Sequence, residues 1–221
     1  MPASGRAPVA ALVLAAGRAE RYGGEKLGEA LTGGESVLAH TVRGLLAPKA
    51  GVDGVWVVTA DRARAEGWLG GRGGLADRVG WVEVSDKGGM GDSLAAGARA
   101  VPAGWALAVV LGDQPFAAPA AVGAVVEALG RSGRPDAVAV ALRHGLAMPP
   151  AAFGPAWREE LGRLTGDVGA RALVGRGGTA VQGVELGEGA WALDLDRPED
   201  LPALRAAAQA IVGAPEGEGR R

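Results

Sequence analysis

The 221-residue chain contains no cysteine and only two histidines, His40 and His144. Disulfides, thiolate metal sites and a cysteine nucleophile are therefore excluded, and a histidine-rich metal centre is disfavoured. Carboxylates, and the metals that prefer oxygen, are what is left for chemistry. A basic balance is missing too: 23 Lys and Arg face 25 Asp and Glu, a formal net charge of -2, whereas a nucleic-acid-binding domain carries a basic face or stripe. No apolar run reaches the roughly 18 residues of a membrane span. The opening residues MPASGRAP lack the apolar core and cleavage site of a signal peptide. The expectation is a cytoplasmic protein that works on small molecules, with neither nucleic acid nor membrane as partner.

What is present is a rhythm. Short apolar runs recur at 9–15 (VAALVLA), 52–60, 78–84, 105–112 and 136–142, unalternated and separated by amphipathic segments. Such runs fit strands buried on both faces of a largely parallel sheet. Ser36 to Leu46, Asp92 to Val101 and Ala120 to Leu129 have helical spacing, which predicts a three-layer α/β/α, Rossmann-like architecture with a mostly parallel central sheet. After Leu142 the pattern predicts two successive helices, strands near Thr179 to Glu185 and Ala190 to Leu195, and a last helix over 198–212. Asp196 and Glu199 have the spacing of a capping box for that helix. Residues 1–8 are expected to be flexible, 9–212 to form one domain, and 213–221 to be a disordered tail.

Three segments carry candidate chemistry. In LVLAAGRAERYGGEK (12–26) a strand empties into a glycine-containing loop with Arg18, Arg21 and Lys26. Backbone N–H groups at such a strand-to-helix turn suit a phosphate, and a solvated connection with surface charges explains the same letters. The loop lacks the Gly-Lys-Ser/Thr ending of a P-loop and the Gly-x-Gly-x-x-Gly of a dinucleotide fold, which argues against a dehydrogenase. VVLGDQPF (109–116) ends a strand in Gly112-Asp113, where Mg²⁺ held by one or two carboxylates and substrate phosphates is one reading and an ordinary turn is the other. ALDLDRPEDL (192–201) supplies Asp194 and Asp196. Asp196 has a capping role available, so Asp194 is the better metal ligand, and either acid can do both jobs. Isolated hydroxyls such as Ser36, Ser85 and Ser132 form no nucleophile elbow.

Taken in order, these residues resemble a known family. LAAGRAERYGGEK is similar to the motif Leu-Ala-Ala-Gly-x-Ser-x-Arg-Met-Gly-x-x-Lys of the MobA-like nucleotidyltransferases, GMGDSLAAGARA to their nucleotide-side segment, and LGDQPF and LDLDRPEDL to their two metal-carboxylate segments. The resemblance runs from Val9 to Leu204. Ala15-Ala16-Gly17 and LTGDVGARALV (164–174) look like the branch of molybdenum cofactor cytidylyltransferases. Departures are Ala19 for the usual Ser, Tyr22 for Met, Asp92 for a small residue, and Arg143 and Gly145 around His144, where the family reads Gly-His-Pro. Asp92 reads as the N-cap of a helix beginning near Ser93.

The resemblance implies transfer of CMP from CTP to the terminal phosphate of molybdopterin or molybdenum cofactor, with release of pyrophosphate and with Mg²⁺ as cofactor. Such a phosphate is mostly dianionic at neutral pH and needs no general base. It further implies that Arg21, Lys26 and Asp113 are catalytic, and that Leu14, Ala15, Ala16, Gly17, Arg18, Gly91, Ser93 and Gly112 meet the nucleotide. Gln114 and His144 would meet the acceptor, and Asp113, Asp194 and Asp196 the metal. Hand-over of the product to a molybdoenzyme or its chaperone would follow. A guanylyltransferase, a sugar-phosphate nucleotidyltransferase of the same fold, or a non-catalytic nucleotide-binding cofactor chaperone are the alternatives.

Overall fold

The computed structural model describes residues 6–19 and 21–213, so the expectations for 1–5 and 214–221 lie outside the described residues. All five apolar runs become strands: β1 (Val9–Leu14), β2 (Gly54–Thr59), β3 (Gly80–Glu83), β4 (Ala106–Leu111) and β5 (Val138–Arg143). With β6 (Leu146–Phe153) and β7 (Val181–Glu185) they form one seven-stranded sheet of order β3-β2-β1-β4-β6-β5-β7. Only β6 runs antiparallel to its neighbours.

Both faces are covered. Val9, Ala11 and Val13 of β1 enter one core, and Ala10 and Leu12 enter the other. Two-sided burial is why the run does not alternate. The first core receives α1 (Val37–Leu45), α2 (Arg62–Trp68), α4 (Ala120–Ser132) and α7 (Leu201–Gly213), and the second receives α3 (Met90–Ala100), α5 (Arg158–Gly162) and α6 (Arg171–Arg176). Each fully buried leucine, such as Leu12, Leu94 or Leu107, contributes about 1.5–3 kcal/mol. The protein is a three-layer α/β fold with a mostly parallel central sheet. Among the described residues no helix is long and apolar enough to cross a membrane.

Several local expectations need correction. β6 is not legible as a strand because Pro149 and Pro150 interrupt it. They fall where the β5–β6 register shifts between Val140 and Ala141, and β4 pairs with β6 only from Ala151 onward, so neither proline is asked for a ladder bond. α2 has no apolar stripe, with Ala65 its sole buried residue, and starts on a cap in which Asp61 Oδ1 accepts from Arg64 N at 3.0 Å. Ala190 to Leu195 is no strand: Ala190–Ala192 is a 3-10 turn, and Trp191, Ala192 and Leu195 are buried in the core. Residues 6–8 are tied down, since the Arg6 guanidinium donates to Gly51 O at 3.2 Å and Pro8 O accepts from Ala106 N at 2.8 Å.

Candidate active site

β1 and β4 are parallel neighbours in register, Leu14 opposite Leu111. Whatever follows these two strands must therefore emerge side by side at the carboxyl edge of the sheet, where ligands of open α/β sheets bind. Backbone bonds continue the ladder past the strand ends, with Ala15 N donating to Val58 O at 2.8 Å and Gly112 N to Leu14 O at 3.0 Å. Gly112 has to be small: a Cβ there would stand 3.1 Å from Leu14 O. Buried Thr41 on α1 donates its hydroxyl to Gly112 O at 3.0 Å. These contacts fix the position of Asp113.

The loop after β1 doubles back on itself. Ala19 O accepts from both Tyr22 N and Gly23 N at 3.0 Å, with Ala19 and Gly23 in the left-handed region at φ +49° and +75°. Glycine is at ease there and alanine is strained. The loop returns to the body through buried Leu27 and through Gly28, where a Cβ would lie 2.4 Å from Trp68 Nε1. Between them this anchor and the turn deliver Lys26, whose Nζ donates to Asp113 Oδ2 at 2.5 Å, both side chains largely buried. The other oxygen, Asp113 Oδ1, is buried with no hydrogen-bond partner.

The third acidic segment is stitched to the second, since Leu195 N donates to Asp113 O at 3.0 Å. Asp194, the residue before it, is exposed at the cleft wall, and its carboxyl is raised above the ordinary range by partial loss of solvent and then by the charges of Asp113, Asp196 and Asp200. Asp196 is lowered instead, chiefly by its hydrogen bond from Arg21, 2.7 Å from Arg21 Nη1 to Asp196 Oδ2. The expected Asp196–Glu199 capping box is not formed. Asp200 takes that role, its Oδ2 accepting from Asp196 N at 3.0 Å and Arg197 N at 2.7 Å ahead of the turn Pro198–Asp200 and α7.

These groups line one cleft of about 690 Å³, made by Leu14, Ala15, Ala16, Gly17, Arg18, Arg21, Lys26, Ser93, Asp113, Asp194 and Asp196 together with Gly88, Gly89, Met90 and Asp167. A second lobe of about 510 Å³ lies on the β2 and β3 side of the same loop, where Thr59, Asp61, Ser85 and Asp86 contribute. Arg18 Nε donates to Asp86 O at 2.9 Å. Four of the expected residues are placed elsewhere. Gly91 is buried against Thr165 and Val168, Gly112 lies under the strand ends, and Gln114 is 2 % exposed with Oε1 unpartnered. His144 sits at the β5–β6 hairpin tip, Nε2 2.6 Å from Glu188 Oε1. Nor is Asp92 an N-cap. It is the third residue of α3, and its carboxylate accepts from Gly89 N at 2.8 Å.

Asp167 and Asp200 were not singled out in the sequence, since an acid's role as cap or wall depends on which loop folds against it. Among the described residues no group of three His, Cys, Asp or Glu side chains is arranged to hold a metal. An oxygen-loving cation that shares its shell with substrate phosphates needs only one or two carboxylates. Asp113, with a buried free oxygen, and Asp194, raised by loss of solvent and then by Asp113's charge, fit such a cation.

The MobA-like NTP transferase domain family matches residues 11–181. No curated relative matches the chain. Among solved structures, Rv0371c from Mycobacterium tuberculosis H37Rv is 27% identical at TM-score 0.74, covering 92% of this chain and 100% of its own. Its complex with manganese gives 26%, 0.68, 90% and 99%. Mth528, a nucleotidyl transferase from Methanothermobacter thermautotroptrophicus, is 23% identical at TM-score 0.76, covering 92% and 99%. CMP:2-keto-3-deoxy-manno-octonic acid synthetase complexed with CTP shares the fold at 16% identity and TM-score 0.69, covering 93% and 100%. With the family model matched over residues 11–181, most of this chain, the chain belongs to the MobA-like NTP transferases and is a nucleotidyltransferase.

Proposed function

We propose that the protein transfers CMP from CTP to the terminal phosphate of a molybdopterin-type acceptor and releases pyrophosphate. The observation that carries the reading is the Lys26–Asp113 pair, with Asp113 Oδ1 left free beside Asp194 and a basic loop. Two anions have to approach each other here, so charge neutralisation and alignment are the work to be done. Arg18, Arg21 and the backbone of Ala15, Ala16 and Gly17 hold the triphosphate. Lys26 places a positive charge at the reacting and leaving phosphates, oriented by Asp113. Asp113 and Asp194 would hold Mg²⁺, with Asp196 beside them, and the ion would act there as a Lewis acid. Manganese in the Rv0371c complex agrees with a divalent ion in this fold.

No side chain in the cleft has to take a proton, which suits a dianionic phosphate nucleophile. The choice of cytidine rests on Ala15-Ala16-Gly17 and on segment 164–174. Ser93 reaches the nucleotide side, while Gly91 and Gly112 act by admitting backbone. The roles of Gln114 and His144 toward the acceptor rest on the sequence. Delivery of the product to a molybdoenzyme or its chaperone completes the reading.

Calorimetric titration with CTP, GTP and ATP, each with and without Mg²⁺, tests the nucleotide. Pyrophosphate release on addition of molybdopterin tests the acceptor. Mg²⁺-dependent binding of CTP followed by release is the expected result. Preference for GTP would move the protein to guanylyl transfer, and binding without release under any acceptor would make it a nucleotide-binding chaperone.

A further inference from the structure

The wall of the cleft opposite in chemistry to the basic loop is built from the first turn of α3 and the segment 165–168, two pieces far apart in sequence. Their contact is backbone on backbone. Gly91 N donates to Gly166 O at 2.7 Å, and a Cβ at Gly89 would stand 2.2 Å from Gly166 C and O, while one at Gly91 would stand 2.8 Å from Thr165 O and Val168 O. One side chain ties both pieces: Asp92 Oδ2 accepts from Gly89 N at 2.8 Å and from Gly166 N at 3.1 Å. The charged side chain that the segment contributes to the cleft lining is Asp167, next to Gly88, Gly89, Met90 and Ser93. The lining thus runs from Arg18, Arg21 and Lys26 on one loop to a carboxylate on the other.

We propose that Asp92 is a positioning residue for the nucleotide, clamping segment 165–168 onto α3 so that the Asp167 carboxylate accepts hydrogen bonds from the ribose hydroxyls. A carboxylate repels phosphate and is well matched to a vicinal diol, as in dinucleotide-binding folds where an acid takes the ribose 2′-hydroxyl. Asp92 also places a negative charge in the first turn of α3, which cancels the attraction a helix N-terminus would hold for an anion. The phosphates are left to the basic loop, and the nucleotide is oriented by the difference between its two ends. The inference rests on the nucleotidyltransferase reading of the cleft.

Calorimetry on the full chain, with Mg²⁺ present, separates the two ends of the ligand. The probes are whichever of CTP and GTP the wild type binds, its 2′-deoxy counterpart, and inorganic tripolyphosphate. The wild type should prefer the ribonucleotide. Asp167→Ala and Asp92→Ala should weaken it about tenfold or more and erase the ribose preference, with tripolyphosphate held within about twofold. Asp92→Asn keeps an oxygen able to accept from both Gly89 N and Gly166 N, and should restore ribonucleotide affinity to within about threefold of wild type. An intact ribose preference in Asp167→Ala would overturn the proposal. So would equal weakening of ribonucleotide and tripolyphosphate in Asp92→Ala, which would make Asp92 a prop of the fold. A wild type that binds none of CTP, GTP and ATP would count against the nucleotidyltransferase reading itself.

Discussion

Two loop clusters on this sheet hold acids beside bases, and they use them in opposite ways. At the β5–β6 hairpin tip every charge is answered. Glu185 accepts from His144 N and Gly145 N at 3.0 Å, and Glu188 pairs with both Arg143, at 2.8 Å, and His144. Glu185 is lowered first by the Gly145 N–H, and Glu188 first by its His144 hydrogen bond. At the cleft the accounts stay open: Asp113 keeps a buried oxygen without a partner and Asp194 is raised by burial and by neighbouring acids. Satisfied charges hold a hairpin, whereas unsatisfied ones await a ligand of the other sign.

The most severe way to break the contrast is to remove the negative charge behind the open oxygen. Asp113→Asn should lower turnover at least about a hundredfold, the scale of a lost transition-state charge partner, in protein that thermal unfolding shows to be folded. Near-normal turnover at saturating Mg²⁺ would take Asp113 out of the reaction. Lys26→Ala is expected next, about ten- to a hundredfold in turnover. The comparison is Lys49→Ala, an exposed lysine in the Pro48–Ala50 turn; equal effects of the two would take Lys26 out of the reaction.

Asp194→Asn sharpens the point on stability. A carboxylate whose folded pKa is raised binds protons more tightly when folded, so stability falls as pH rises through that window. At neutral pH the Asn variant should therefore melt higher than wild type while losing turnover, and the gap should close as pH falls to the ordinary value of 3.8. A lower Tm at pH 7 would contradict this. The mildest effect is expected at the hairpin. Depressed carboxyls stabilise above their unfolded pKa and lose that contribution as pH falls through the folded one. The carboxylate-driven step in the Gly145 amide shift should fall below 4.5, the ordinary glutamate value; a midpoint at or above it would show the tip to be free of this acid.

The parallel core was legible because burial on both faces erases alternation, and the acidic strand ends stood out against an otherwise apolar run. β6 was hidden because its prolines deny the usual strand signal and are tolerated only at a register shift. The Ala190 to Leu195 run misled because apolar residues say that a segment is buried, not whether it pairs in a ladder or packs as a turn. Asp92 and Asp196 both looked like caps, since an Asp near a helix start satisfies the pattern whichever N–H it meets.

By itself the sequence determined the layered sheet, the basic loop and the acids that end β4 and precede α7, because periodicity and strand-end chemistry are local. Only the tertiary structure decided that Lys26 meets Asp113, that Arg21 meets Asp196, and that Asp92 reaches Gly166 across 74 residues. Those pairings depend on which strands lie side by side and how closely glycines let two backbones approach, and neither quantity is written in any one segment.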